Sequence, residues 1–103
     1  MSILVEFAMF PTDKGASVSE YVSRIIKMID ESNVSYQLTP MGTIFETDTM
    51  NEALQVIDKA YQQLEPDCLR VYSSIKFDIQ PKKNNRMKTK IQSIENKIGQ
   101  VKK

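Results

Sequence analysis

The sequence predicts a small α+β sandwich, with elements in the order βαββαβ and one further helix at the C-terminus. Three observations carry this. Short runs with period-two apolar alternation, or filled almost completely by apolar residues, recur at Ile3–Phe10, Val34–Thr39, Thr43–Thr47 and Leu69–Ile79. Two intervening segments instead place apolar residues at steps of three and four. With 103 residues, the chain has room for one modest core, which buries about 65% of the surface its unfolded form exposes. Residues 1–103 therefore read as a single domain.

Ile3 to Phe10 is apolar throughout except for Glu6, and Pro11 ends it. It reads as a central strand with both faces covered or nearly so. Glu6 is either on a solvated face or inside a cleft. PTDKGAS follows as a loop. Ser17-Val18-Ser19-Glu20 has the form of a capping box. The helix it opens runs to about Glu31, with Val18, Tyr21, Val22, Ile25, Ile26 and Ile29 on one face. Val34, Tyr36 and Leu38 then alternate with polar residues as a half-buried strand. Pro40-Met41-Gly42 is a turn or bulge. Thr43 to Thr47 resumes as a strand, with Ile44 and Glu46 on one face and Thr43, Phe45 and Thr47 on the other.

Thr49-Met50-Asn51-Glu52 repeats the capping-box pattern. The face of this second helix is Ala53, Leu54, Ile57, Ala60, Tyr61 and Leu64, and Glu65-Pro66 closes it. In the last strand, Leu69, Val71, Ser73, Ile75, Phe77 and Ile79 form a core face, and Arg70, Tyr72, Ser74, Lys76 and Asp78 a polar one. PKKNNR is a basic loop, in which Lys82, Lys83 and Arg86 read as a solvated linker, with anion binding as the alternative. A final helix spans about Met87 to Val101. Its narrow stripe of Met87, Ile91, Ile94, Ile98 and Val101 suits one contact, on its own sheet or, by preference, with the same helix of another copy.

The composition removes whole classes of chemistry. There is no His, and Cys68 is the only cysteine. No Ser-His-Asp or Cys-His arrangement is possible, and neither is a zinc site built on His or on several thiolates. Neither a catalytic group, a metal nor a cofactor is expected. No intrachain disulfide can form, which fits a reducing cytoplasmic setting. Lys and Arg number 14 against 13 for Asp and Glu, without the basic stripe of a nucleic-acid binder. MSILVEFAMF reads as a strand, not a signal peptide, and no apolar run approaches the ~20 residues of a membrane span.

The element order is that of the ferredoxin-like fold, an antiparallel sheet with both main helices on one face. The other face then wants a partner, so a dimer or tetramer is expected. An RNA-binding module of this topology would need exposed aromatics on its central strands. MGTIFET offers one aromatic and no neighbouring base.

The Ser-Val-Ser-x-Tyr-Val helix start, the Tyr-x-Leu-Thr-Pro-Met-Gly-Thr turn and the Glu that follows resemble the motif block of the thiamine-binding-protein-like family of small YkoF-related domains. ALQVIDKAYQQL, RVYSSIKFD and RMKTKIQSIENKIG resemble its later elements, so the resemblance covers nearly the whole chain. It implies a ferredoxin-like fold, dimers paired into tetramers, and a site near a subunit interface for thiamine or its hydroxymethylpyrimidine half. PTDKGAS departs from the family's shorter glycine-rich loop, and FETDTM lacks the Glu-Gly that often follows the third strand.

An aminopyrimidine presents a ring nitrogen and an exocyclic amine on one edge, which a carboxylate or hydroxyl pair can read. Glu46 is the carboxylate expected there, and Ser17, Ser19 and Thr43 the hydroxyls that the family motif carries onto this chain. Gly42 admits close backbone approach. Phe45, Tyr72 or Met41 would stack on the ring. The expected function is non-enzymatic, cytoplasmic binding of a small molecule, thiamine or a pyrimidine precursor. The alternative is a structural oligomer with a vestigial pocket.

Overall fold

The computed structural model describes all 103 residues. Its elements are β1 (Ser2–Pro11), α1 (Ser19–Glu31), β2 (Ser35–Thr39), β3 (Gly42–Thr47), α2 (Met50–Gln62), β4 (Val71–Gln80) and α3 (Arg86–Ile98). The strands form one antiparallel sheet of order β2-β3-β1-β4. This is the ferredoxin-like arrangement, with α3 added on the face opposite α1 and α2.

The core lies between the sheet and α1 and α2. Ile3, Val5, Phe7 and Met9 supply it from alternate positions of β1. The register pairs Val5 with Phe45 and Phe7 with Thr43, which sends Thr43, Phe45 and Thr47 inward as the alternation predicts. Phe7 and Phe45 meet edge to face, 5.6 Å apart. Ile25 and Ile29 come from α1, and Ala53, Val56 and Ala60 from α2, with Leu64 just beyond its end. Leu54 and Tyr61 of the expected α2 face are exposed. Val56 takes their place, because Ala53, Val56, Ala60 and Leu64 form the stripe that meets the sheet.

The two helix starts differ. Thr49 caps α2, accepting from Glu52 N at 3.1 Å and donating to the Glu52 carboxylate at 2.9 Å. The expected Ser17 box does not form. α1 begins at Ser19 with Val18 at its N-cap position and no side-chain cap.

β4 is an edge strand, and this changes its expected burial. Ile75, Phe77 and Ile79 pair with Phe7, Val5 and Ile3 and so face the helix side. They nevertheless stay 36%, 39% and 45% exposed, because α1 and α2 lie over β1, β2 and β3. Leu69 lies before the strand, in solvent. Glu6 is exposed on the opposite face, 3.7 Å from Lys76, its cross-strand neighbour.

The first turns of α3 pack on the chain's own sheet, against β1 and β3. Met87 and Ile91 are half-buried there, and Ile94 and Ile98 remain exposed. The helix stops at Gly99, whose φ of 92° is one that L side chains rarely adopt. It therefore ends before the expected Val101.

Candidate functional site

The Thr39-Pro40-Met41-Gly42 segment is a turn held by its own side chain. Thr39 Oγ1 accepts from the backbone N–H groups of Met41 (3.3 Å) and Gly42 (3.1 Å), and donates to the Gly42 carbonyl at 2.8 Å. The sequence therefore needs no Asn-Gly here. Gly42 has a separate, steric reason. A Cβ at that position would lie 2.8 Å from the Phe7 carbonyl oxygen, in the backbone of the neighbouring strand. Gly42→Ala is expected to push β3 off β1 and cost about 1–3 kcal/mol, read as a lower urea midpoint. An unchanged midpoint would mean that the strands separate freely here.

Under this turn, between α1 and β1, lies a cavity of about 270 Å³. Ten of its fourteen lining residues are hydrophobic. Phe7, Met9 and Phe10 come from β1, Val22, Ile25 and Ile26 from α1, and Leu38 and Pro40 from the hairpin. Thr39 and Thr43 bring the hydroxyls, and no acid or base lines it.

Three of the residues expected to bind ligand, Met41, Gly42 and Thr43, line this cavity together. Ser17 and Ser19 flank Val18, which lines it, but are not themselves in the wall. Phe45 is fully buried, one ring behind Phe7. Tyr72 stands behind Phe10 at 6.0 Å between ring centroids.

Glu46 is elsewhere, on the opposite face of the sheet. Its carboxylate accepts from the Ser2 hydroxyl, from Arg86 N at 2.9 Å and from Met87 N at 3.2 Å. It thereby caps α3 from a neighbouring strand, satisfying N–H groups that no intrahelical carbonyl can reach. Asn85, the residue before the helix, sits at φ 55° and offers no side-chain cap. Burial pushes the Glu46 carboxyl up. The Ser2 hydroxyl, the Arg86 and Met87 N–H groups and the Arg86 charge outweigh that and hold it below the usual range.

Arg86, expected in a solvated loop, is only 2% exposed. Its Nε donates to Ser2 Oγ at 3.0 Å, and its Nη2 to the Ser2 carbonyl at 3.0 Å and to the Asp78 carbonyl. Nη1 lies 2.9 Å from Asp78 Oδ2 as an ion pair, outside hydrogen-bond alignment. Asp78 also accepts from Lys90 at 3.0 Å. Lys90 and then Arg86 hold its carboxyl below the usual range. No local pattern in PKKNNR distinguishes Arg86 from Lys82 or Lys83, so periodicity alone missed it.

Comparison with known proteins agrees with this fold. Residues 5–95 match the family model described as thiamine-binding protein. UPF0045 protein MJ1052 of Methanocaldococcus jannaschii is 33% identical over 92 residues, 89% of this chain and 91% of that protein. UPF0045 protein Mb1933 of Mycobacterium bovis is 32% identical over 95 residues, 92% of this chain and 93% of that protein. The MJ1052 crystal structure superposes with a TM-score of 0.81 over 90% of this chain and 95% of its own. TM0486 of Thermotoga maritima, a candidate thiamine biosynthesis/salvage protein, shares the fold with a TM-score of 0.78 at 17% identity, over 91% of this chain and 99% of its own. With a family model matched over most of its length, the chain belongs to the thiamine-binding protein family.

Proposed function

We propose that the chain is a non-enzymatic binding protein for the hydroxymethylpyrimidine half of thiamine, held in the cavity beneath the β2–β3 turn. Family membership supports the ligand class. The lining of the cavity carries the reading. At about 270 Å³ it lies just below the range of roughly 300–1,000 Å³ usual for ligand pockets, which suits one ring. Its walls hold aromatic and aliphatic groups, the Thr43 hydroxyl and close-approaching Gly42 backbone, and no charge. A neutral pyrimidine suits that environment better than a cationic thiazolium, which would be stripped of water without a counter-charge. With no acid or base in the wall, the site has nothing to move a proton with.

Met41 is 89% exposed and Leu38 57% exposed at the same turn. We take these apolar residues as the place where a second copy closes the cavity in a dimer or tetramer. The role is then carriage, buffering or sensing in the cytoplasm. One observation favours the alternative, a structural oligomer with a vestigial pocket: the Glu46 carboxylate is fully engaged within the chain.

Calorimetric titration separates the two. Hydroxymethylpyrimidine is expected to bind saturably and more tightly than thiamine. Thr43→Val, which keeps the shape and removes the hydroxyl, is expected to weaken binding about tenfold, the value of one hydrogen bond. Absence of heat with both ligands from the folded protein would leave the structural reading.

A further inference from the structure

The face of the sheet opposite the cavity carries a second, different concavity. It is about 390 Å³, lies between the end of β4 and the first turns of α3, and has no hydrophobic residue in its lining. Lys83, Arg86 and Lys90 line it, and Asp78 is its only acid. Asp78 is shared between Arg86 at 2.9 Å and Lys90 at 3.0 Å, and no carboxylate in the lining is left for Lys83. Three cations around one carboxylate leave the lining net positive, with Glu46 behind Arg86 offsetting part of that charge.

The hydroxyls of the lining also point to an oxyanion. Thr89 and Ser93, also in the lining, are four residues apart on α3 and so share one face. Their hydroxyls can donate to oxygen.

We infer that this pocket binds a phosphoryl anion, either free phosphate or diphosphate or the phosphate of a monoester. A phosphate near pH 7 carries about −1.5 to −2 charge and three acceptor oxygens, which answer the net positive lining and the hydroxyls of Thr89 and Ser93. A planar guanidinium beside ammonium groups is the donor set such an oxyanion takes. The inference does not rest on the pyrimidine cavity, which lies across the sheet.

The test is calorimetric titration of the full chain with inorganic phosphate, diphosphate and methyl phosphate, at ionic strength matched with chloride. Lys83→Gln and Thr89→Val serve as variants. Both positions are exposed and outside the Arg86–Ser2–Glu46 network, and circular dichroism checks that each variant is folded. Saturable binding of at least one anion is expected, weakened about tenfold by each variant through loss of one polar contact. Preference for methyl phosphate would identify a monoester as the source, and preference for an inorganic anion the free ion. No saturable binding of any of the three, or binding unaffected by both variants, would overturn the inference.

Discussion

Arg86→Ala is expected to lower stability by about 3–5 kcal/mol, the cost of breaking a buried charge network by removing one member. Stabilities of domains this size are about 5–15 kcal/mol in total, so the loss would be a large share. The substitution takes the donors from the Ser2 hydroxyl and from the Ser2 and Asp78 carbonyls, and the partner from the Asp78 carboxylate. It also leaves a hole where a side chain was 98% covered, at 2% exposure. Arg86→Lys is expected to recover little, because one ammonium cannot reproduce four divergent contacts. Urea unfolding measures both. A change under about 1 kcal/mol for the alanine variant would mean that the network behaves like a surface ion pair.

Acid is expected to release α3 before the core unfolds. Glu46 and Asp78 both have carboxyls held below their ordinary values in the folded chain. Groups lowered in this way contribute stability that is present above the unfolded-state value, about pH 4, and lost as pH falls through the folded one. Protonation of Glu46 removes the charge that receives the first N–H groups of α3, and protonation of Asp78 removes the partner of Arg86 and Lys90. Amide exchange in α3 should therefore accelerate below about pH 4 while the amides of β1 and β3 stay protected. Glu46→Gln is expected to bring part of that loss to neutral pH, at about 1–2 kcal/mol, the scale of a charged cap exchanged for a neutral one. Simultaneous exchange of α3 and the central strands would show that the helix is no separate unit.

Much of this fold is legible because its elements follow local rules. Period-two alternation placed Thr43, Phe45 and Thr47 inward, and Thr49 caps α2 as its spacing with Glu52 predicts. What was not legible depends on sequence-distant partners. Ile75, Phe77 and Ile79 have the right phase for a core, but whether a strand lies at an edge is decided by the other strands. Ser17 has the right spacing for a cap, yet the chain reaches α1 through Val18. The site shows the same division. Met41, Gly42 and Thr43, expected from the turn and the family motif, line one cavity. Glu46 is expected among them because an aminopyrimidine edge calls for a carboxylate and the family motif has a Glu there, although the alternation itself puts Glu46 on the face opposite Thr43. Arg86 acquires its role from Ser2, at the far end of the chain.

That last contact also sets an order of events. Ser2 and Arg86 are 84 positions apart, so α3 can dock only after β1 has taken its place and the chain's two ends have met. The hairpin of β2 and β3 needs no such closure, and long-range closure is the slow step in chains of this kind. Residues 1–80 contain every strand, so the sheet can form before α3 docks. Throughout that interval Leu4 and Ile44 face water and the Glu46 carboxylate has no helix to hold. The partly folded chain is most exposed to unwanted association in that window, and docking of α3 closes it.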